Sequence, residues 1–169
     1  IRVADTESGE TLTEPGEVGE VKFQGPGLMA GYYNQPELTD DAFDEDGYFY
    51  TGDLFQVEED GFMSFFDRKK DVIIRGGFTI SAKEVENIVL EHPKIVDAAV
   101  VGEPHEDLGE RVAVYAVAKP GEDLTLDDIT EFMGDDVAIY KHPERLEVVE
   151  EIPRNPVGKV LKTELRDRL

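Results

Sequence analysis

The chain has 169 residues, with 39 Asp and Glu against 17 Lys and Arg, and a formal net charge of −22 at pH 7. Such a charge repels nucleic acid and anionic membrane surfaces, which excludes both as partners. There is no cysteine, which excludes a disulfide framework, a thiolate zinc site and a Cys nucleophile and suits a reducing, cytoplasmic compartment; no run approaches the roughly 18 apolar residues of a membrane span.

Residues 18–23 alternate as a strand, set off by turns at Pro15-Gly16 and Gly25-Pro26-Gly27. Residues 37–43 read as a short helix with Pro36 in its first turn. Residues 54–58 and 62–66 form a hairpin around Asp60-Gly61. A second strand pair, 72–75 and 78–80, turns on Gly76-Gly77. Ser81 and Glu84 make a capping box that opens a helix with Val85, Ile88 and Val89 on one face, ending near His92-Pro93. Residues 96–102 and 111–119 are β-prone, and the seven-residue apolar run 112–118 reads as a buried strand. Thr125 caps a helix to about Met133, followed by a strand over 146–149 and a short helix over 163–169.

The expected fold class is α+β: a β-rich first part, then a sheet flanked by helices. The charge divides unevenly. Residues 1–66 carry 16 acids and 2 bases, and residues 67–169 carry 23 and 15. The five charged residues from Asp67 to Asp71 make either a charged hairpin turn within one domain or a hinge; the shift in composition favours the hinge and gives domains 1–66 and 67–169. The acid clusters, Asp44-Glu45-Asp46 among them, read as solvated surface, since the calcium-loop spacing is missing. So much acid on a folded chain points to a halophilic source, because salt at molar concentration cuts the Debye length to about 3 Å and screens the self-repulsion. The chain opens without Met in what reads as mid-strand, and a longer parent chain is expected.

Four places carry candidate chemistry. Asp53, in Tyr50-Thr51-Gly52-Asp53, offers a carboxylate at a turn that accepts two hydrogen bonds from a vicinal diol, or simply caps the turn. Arg68 grips phosphate or ribose with its planar fork, or sits in a solvated turn. Gly76 and Gly77 let a ligand approach the backbone closely, or merely form a hairpin. Lys159 ends the loop Pro153-Arg154-Asn155-Pro156-Val157-Gly158-Lys159. It delivers a mobile positive charge to an oxyanion at phosphorus, or is an ordinary surface lysine. No Walker loop, no G-x-S-x-G and no histidine pattern suited to zinc is present, so no metal site is expected.

Taken in order, these pieces resemble the C-terminal part of the adenylate-forming superfamily, which includes acyl- and aryl-CoA synthetases, nonribosomal-peptide adenylation domains and beetle luciferases. Pro15-Gly16-Glu17-Val18-Gly19-Glu20 is similar to the family's P-G-E-x-G-E entry, and Gly31 to Thr39 to its G-Y-x-N-x-P-E-x-T segment. Thr51-Gly52-Asp53, the stretch from Asp67 to Gly77, and Asn155 to Lys159 resemble its T-G-D, hinge and terminal G-K motifs. Asp67 replaces the glycine of many members.

The resemblance implies that Asp53 binds the ribose hydroxyls of ATP and of the acyl-adenylate, and that Arg68 contacts ribose or phosphate. Lys70 would be the hinge, Gly76 and Gly77 would line the pantetheine tunnel, and Lys159 would bridge the substrate carboxylate and the α-phosphate. It implies ATP, Mg2+ and coenzyme A, and a large N-terminal domain upstream that holds the phosphate loop and acyl pocket. The activity implied is that of a medium- or long-chain fatty acyl-CoA synthetase, with 169 residues too few to catalyse alone. An aryl- or amino-acid-activating enzyme and a non-catalytic acidic binding domain are the alternatives.

Overall fold

Apolar side chains build two sheets in a computed structural model that describes residues 1–169. The chain divides into two compact units, Ile1–Lys70 and Asp71–Leu169.

The first unit is a four-stranded antiparallel sheet of β1 (Arg2–Ala4), β2 (Val18–Phe23), β3 (Phe49–Val57) and β4 (Met63–Arg68), in that order. Val3, Val21 and Val57 form its core, with Leu12 and Phe55 packed against them. Helix α1 (Pro36–Asp41) buries no residue. It stops short of Phe43, whose ring packs edge-on against Phe49 at 5.5 Å. β3 is longer than its apolar pattern: it runs straight through Thr51-Gly52-Asp53, where a turn was expected. Lys22 pairs with Tyr50 and Glu20 with Leu54, so the three residues between bulge outward. Gly52 supplies the left-handed conformation this needs, at φ +70°. Asp67 and Arg68 likewise continue β4 rather than forming a loop.

The reading of Asp44 as solvated acid is corrected. Its side chain is mostly buried and pairs with Arg2 at 2.7 Å and Lys22 at 3.4 Å. It also accepts from the Tyr48 amide at 2.8 Å. Burial pushes its carboxyl up, but the Tyr48 amide, Lys22 and Arg2 outweigh that and hold it below the ordinary carboxylate value.

The second unit contains a sheet of order β6-β5-β8-β7, with β9 parallel to β8. Its strands are β5 (Ile73–Arg75), β6 (Phe78–Ile80), β7 (Ile95–His105), β8 (Gly109–Ala118) and β9 (Arg145–Val148). Both faces of the central pair are buried, which is why residues 112–118 are apolar without alternation. Val112, Val114 and Ala116 face one core, with Val85 and Val89 of α2 (Ala82–Leu90) and Ile129 and Met133 of α3 (Leu126–Met133). Ala113 and Tyr115 face the other, with Ile152 and with Leu165 of α4 (Lys162–Arg166). Ser81 caps α2 by accepting from Glu84 N, and Thr125 with Asp128 forms a full capping box on α3. The Glu84 carboxylate accepts from Lys141 Nζ at 2.6 and 2.7 Å. His92 is buried edge-on against Phe132, and burial holds its imidazole below the ordinary histidine value. No helix is long and apolar enough to cross a membrane.

Candidate functional site

In the first unit, Asp53 and Arg68 face each other across β3 and β4. Arg68 Nε lies 2.9 Å from Asp53 Oδ1, with both side chains a little over a third exposed. The contact is an ion pair without hydrogen-bond alignment, since Arg68 Nε has no hydrogen-bond partner. The bulge is held by the Thr51 hydroxyl, which donates to Val21 O at 2.7 Å and accepts from Asp53 N at 3.0 Å. An accessible carboxylate beside a partly exposed guanidinium suits a ligand carrying both hydroxyl donors and oxygen acceptors. A nucleotide ribose and phosphate fit that description. Lys70 is exposed in the turn that follows β4.

In the second unit, Gly76 and Gly77 form a two-residue hairpin turn between β5 and β6, with φ +56° and +85°. Both angles are positive, as a type I′ turn requires. A Cβ on Gly77 would meet nothing within 4 Å, and one on Gly76 only Leu108 at 3.7 Å. The chain itself therefore demands glycine here for conformation, not for space. The turn is exposed, and beside it Phe78 stacks on Tyr140 at 4.4 Å and 8°.

Lys159 is exposed, and its ammonium makes no ion pair within the chain. Its loop is better ordered than its Pro-Gly composition suggests. Asn155 Oδ1 accepts from Val157 N at 3.1 Å and Lys159 N at 2.9 Å. Asn155 N donates to Lys159 O at 2.8 Å, and Leu161 N to Pro153 O at 2.8 Å. Arg154 Nη2 binds both oxygens of Asp97 at 2.8 Å, and its Nη1 donates to Gly158 O at 3.0 Å. The expectation of a mobile lysine thus narrows to its side chain; the backbone that carries it is a clamped hairpin.

Residues 84–159 match the sequence profile of the AMP-binding enzyme C-terminal domain. Residues 84–159 of the second unit belong to the AMP-binding enzyme C-terminal domain family. The whole chain is 46% identical over 168 residues to the medium-chain fatty-acid–CoA ligase of Escherichia coli (strain K12), covering 98% of this chain and 29% of that protein. It is 40% identical over 169 residues to the 4-coumarate–CoA ligase of Pinus taeda, covering 100% and 31%. The crystal structure of ATP-bound MatB from Rhodopseudomonas palustris superposes with a TM-score of 0.86 at 36% identity, covering 99% and 33%. The chain therefore spans under a third of the length of the relatives it matches.

Sequence reading passed over the clamp on this C-terminal domain's lysine loop. Asp97 and Arg154 stand 57 positions apart, so nothing in the local pattern joins them. The Asn155 amide was within reach: an Asn four residues before the lysine, at a proline turn, is a known local hydrogen-bond signal.

Proposed function

We propose that this chain is the C-terminal part of an ATP-dependent acyl-CoA synthetase acting on a medium- or long-chain fatty acid. The observation that carries the reading is the pairing of chemistries in one chain. A half-exposed Asp53–Arg68 pair is suited to a ribose, and an unpaired Lys159 is set on a clamped loop.

In the first half-reaction a carboxylate oxygen attacks the α-phosphorus of ATP, forming the acyl-adenylate and releasing pyrophosphate. Asp53 accepts from the ribose hydroxyls, and Arg68 contacts ribose or phosphate. Lys159 places its ammonium between the substrate carboxylate and the α-phosphate, offsetting their repulsion as charge builds on the phosphoryl oxygens. In the second half-reaction the sulfur of coenzyme A attacks the acyl carbon and AMP leaves. For that the Lys159 loop withdraws, the chain turns about Lys70, and the Gly76-Gly77 face comes to line the pantetheine path. We assign the closing part of the large N-terminal adenylation domain to residues 1–66 and the moving lid to 67–169. Mg2+ enters with ATP as substrate. No group of three or more His, Asp or Glu side chains here is arranged for a metal ion, so the upstream residues and the phosphates are assigned to hold it.

The test is ATP–pyrophosphate exchange by the full-length protein against medium- and long-chain fatty acids, 4-coumarate and amino acids. Exchange with fatty acids alone supports the reading. A preference for 4-coumarate would favour an aryl-CoA ligase, in line with the 40% identity to the Pinus taeda protein. Absence of exchange with any acid would leave a non-catalytic acidic domain. The 169 residues alone are expected to show none. A cytoplasmic, halophilic setting completes the reading: with a net charge of −22, thermal stability should rise from low to molar potassium chloride, and a flat response would count against it.

A further inference from the structure

Glu20 lies on β2 and is 2% exposed. A carboxylate so placed is costly unless each oxygen is satisfied. Its Oε1 accepts from Gly52 N at 2.9 Å, and its Oε2 pairs with Lys69 Nζ at 3.0 Å. Lys69 N in turn donates to Gly52 O at 2.8 Å. These three contacts close a ring through Glu20, Gly52 and Lys69. Gly52 sits in the left-handed conformation at the bulge, one residue before Asp53. Lys69 sits between Arg68, which pairs with Asp53, and Lys70. An apolar side chain would fill the same place with no charge to desolvate. What the carboxylate adds is direction: it fixes a backbone N–H of one segment and the side chain of the other.

We propose that Glu20 is a positioning residue that holds the Asp53–Arg68 pair in register for the nucleotide and anchors the strand end leading into Lys70. It touches no substrate and acts through Gly52 and Lys69. The inference rests on the reading of Asp53 as the ribose ligand.

The test uses the full-length enzyme and measures KM for ATP in pyrophosphate exchange, with thermal unfolding of each variant alongside. Glu20→Ala removes a charge-assisted acceptor, so KM for ATP should rise about tenfold. Glu20→Gln keeps an acceptor for Gly52 N but leaves Lys69 without its anion, and Lys69→Met leaves a buried carboxylate without its cation. Each should raise KM for ATP, and the double variant Glu20→Gln with Lys69→Met should return it towards wild type. The last three variants carry the test even if Glu20→Ala does not fold. Unchanged KM in all of them, with only the melting temperature lowered, would overturn the proposal. So would a double variant no better than its parents. Asp53→Ala is measured in parallel. If it raises KM for ATP and the Glu20 variants do not, this inference alone falls; if it leaves KM unchanged, the ribose reading falls and takes the inference with it.

Discussion

Arg154→Met tests whether the clamp on the lysine loop serves catalysis or only folding. The substitution removes both contacts to Asp97 and the one to Gly158 O. The ion pair is 40% and 31% exposed, so screening limits it to about 1 kcal/mol or less. The bond to the Gly158 carbonyl, also exposed, adds roughly 0.5–1 kcal/mol. The sum of about 0.5–2 kcal/mol corresponds to a factor of about 2–30 in the ratio of ordered to disordered loop. The assay separates the half-reactions in the full-length enzyme: pyrophosphate exchange for adenylation, and thioester formation from supplied acyl-adenylate. Exchange should fall by at least about 2-fold and at most about 30-fold, and thioester formation should keep its wild-type rate. Asp97→Asn should shift exchange in the same direction by a smaller amount, because a neutral acceptor remains. Equal losses in both half-reactions would refute the reasoning, because the clamp would then serve the fold at large. Unchanged exchange would refute it as well.

Two further outcomes concern the second unit by itself. Tyr115 is fully buried, and its hydroxyl donates to Leu165 O at 2.9 Å. Tyr115→Phe should therefore cost about 1–3 kcal/mol and speed amide exchange in α4 first; uniform protection would contradict the assignment. Glu103 is buried between Arg111 and Arg145, each 2.6 Å from one of its oxygens. The hydrogen bond from Arg111 lowers its pKa below 4.5; burial opposes this, and Arg145 adds to the lowering. Its stabilisation is thus fully present above 4.5 and is lost as pH falls through the depressed native value. In urea unfolding, Glu103→Gln should be less stable than wild type at neutral pH, and the gap should close in acid; a pH-independent gap would contradict it.

Much of this was legible in the sequence, for identifiable reasons. The Gly76-Gly77 hairpin and the Thr125 cap rest on contacts within a few residues, where local chemistry decides conformation, and the strand over residues 18–23 showed through its alternation. The buried character of residues 112–118 showed because a strand covered on both faces has no alternation to hide. What escaped was set by distant partners. Thr51-Gly52-Asp53 has turn composition, yet pairing with β2 and β4 carries β3 through it as a bulge. Asp44 looks like surface acid until Arg2 and Lys22, 42 and 22 positions away, close on it. Glu20 looks like one acid among many, because its partners Gly52 and Lys69 lie 32 and 49 positions on. The motifs point to Asp53, Arg68 and Lys159 as candidates; the contacts of Glu20 with Gly52 and of Arg154 with Asp97 lie outside their reach.

The most direct measurement is Lys159→Ala in the full-length enzyme, followed through each half-reaction in turn. Lys159 is exposed and has no ion pair to lose, so stability should stay within about 0.5 kcal/mol of wild type. Pyrophosphate exchange should drop by about 10²–10³, while supplied acyl-adenylate still reacts with coenzyme A at the wild-type rate. Unimpaired exchange, or the same loss in both steps, would contradict a lysine that serves adenylation and then withdraws.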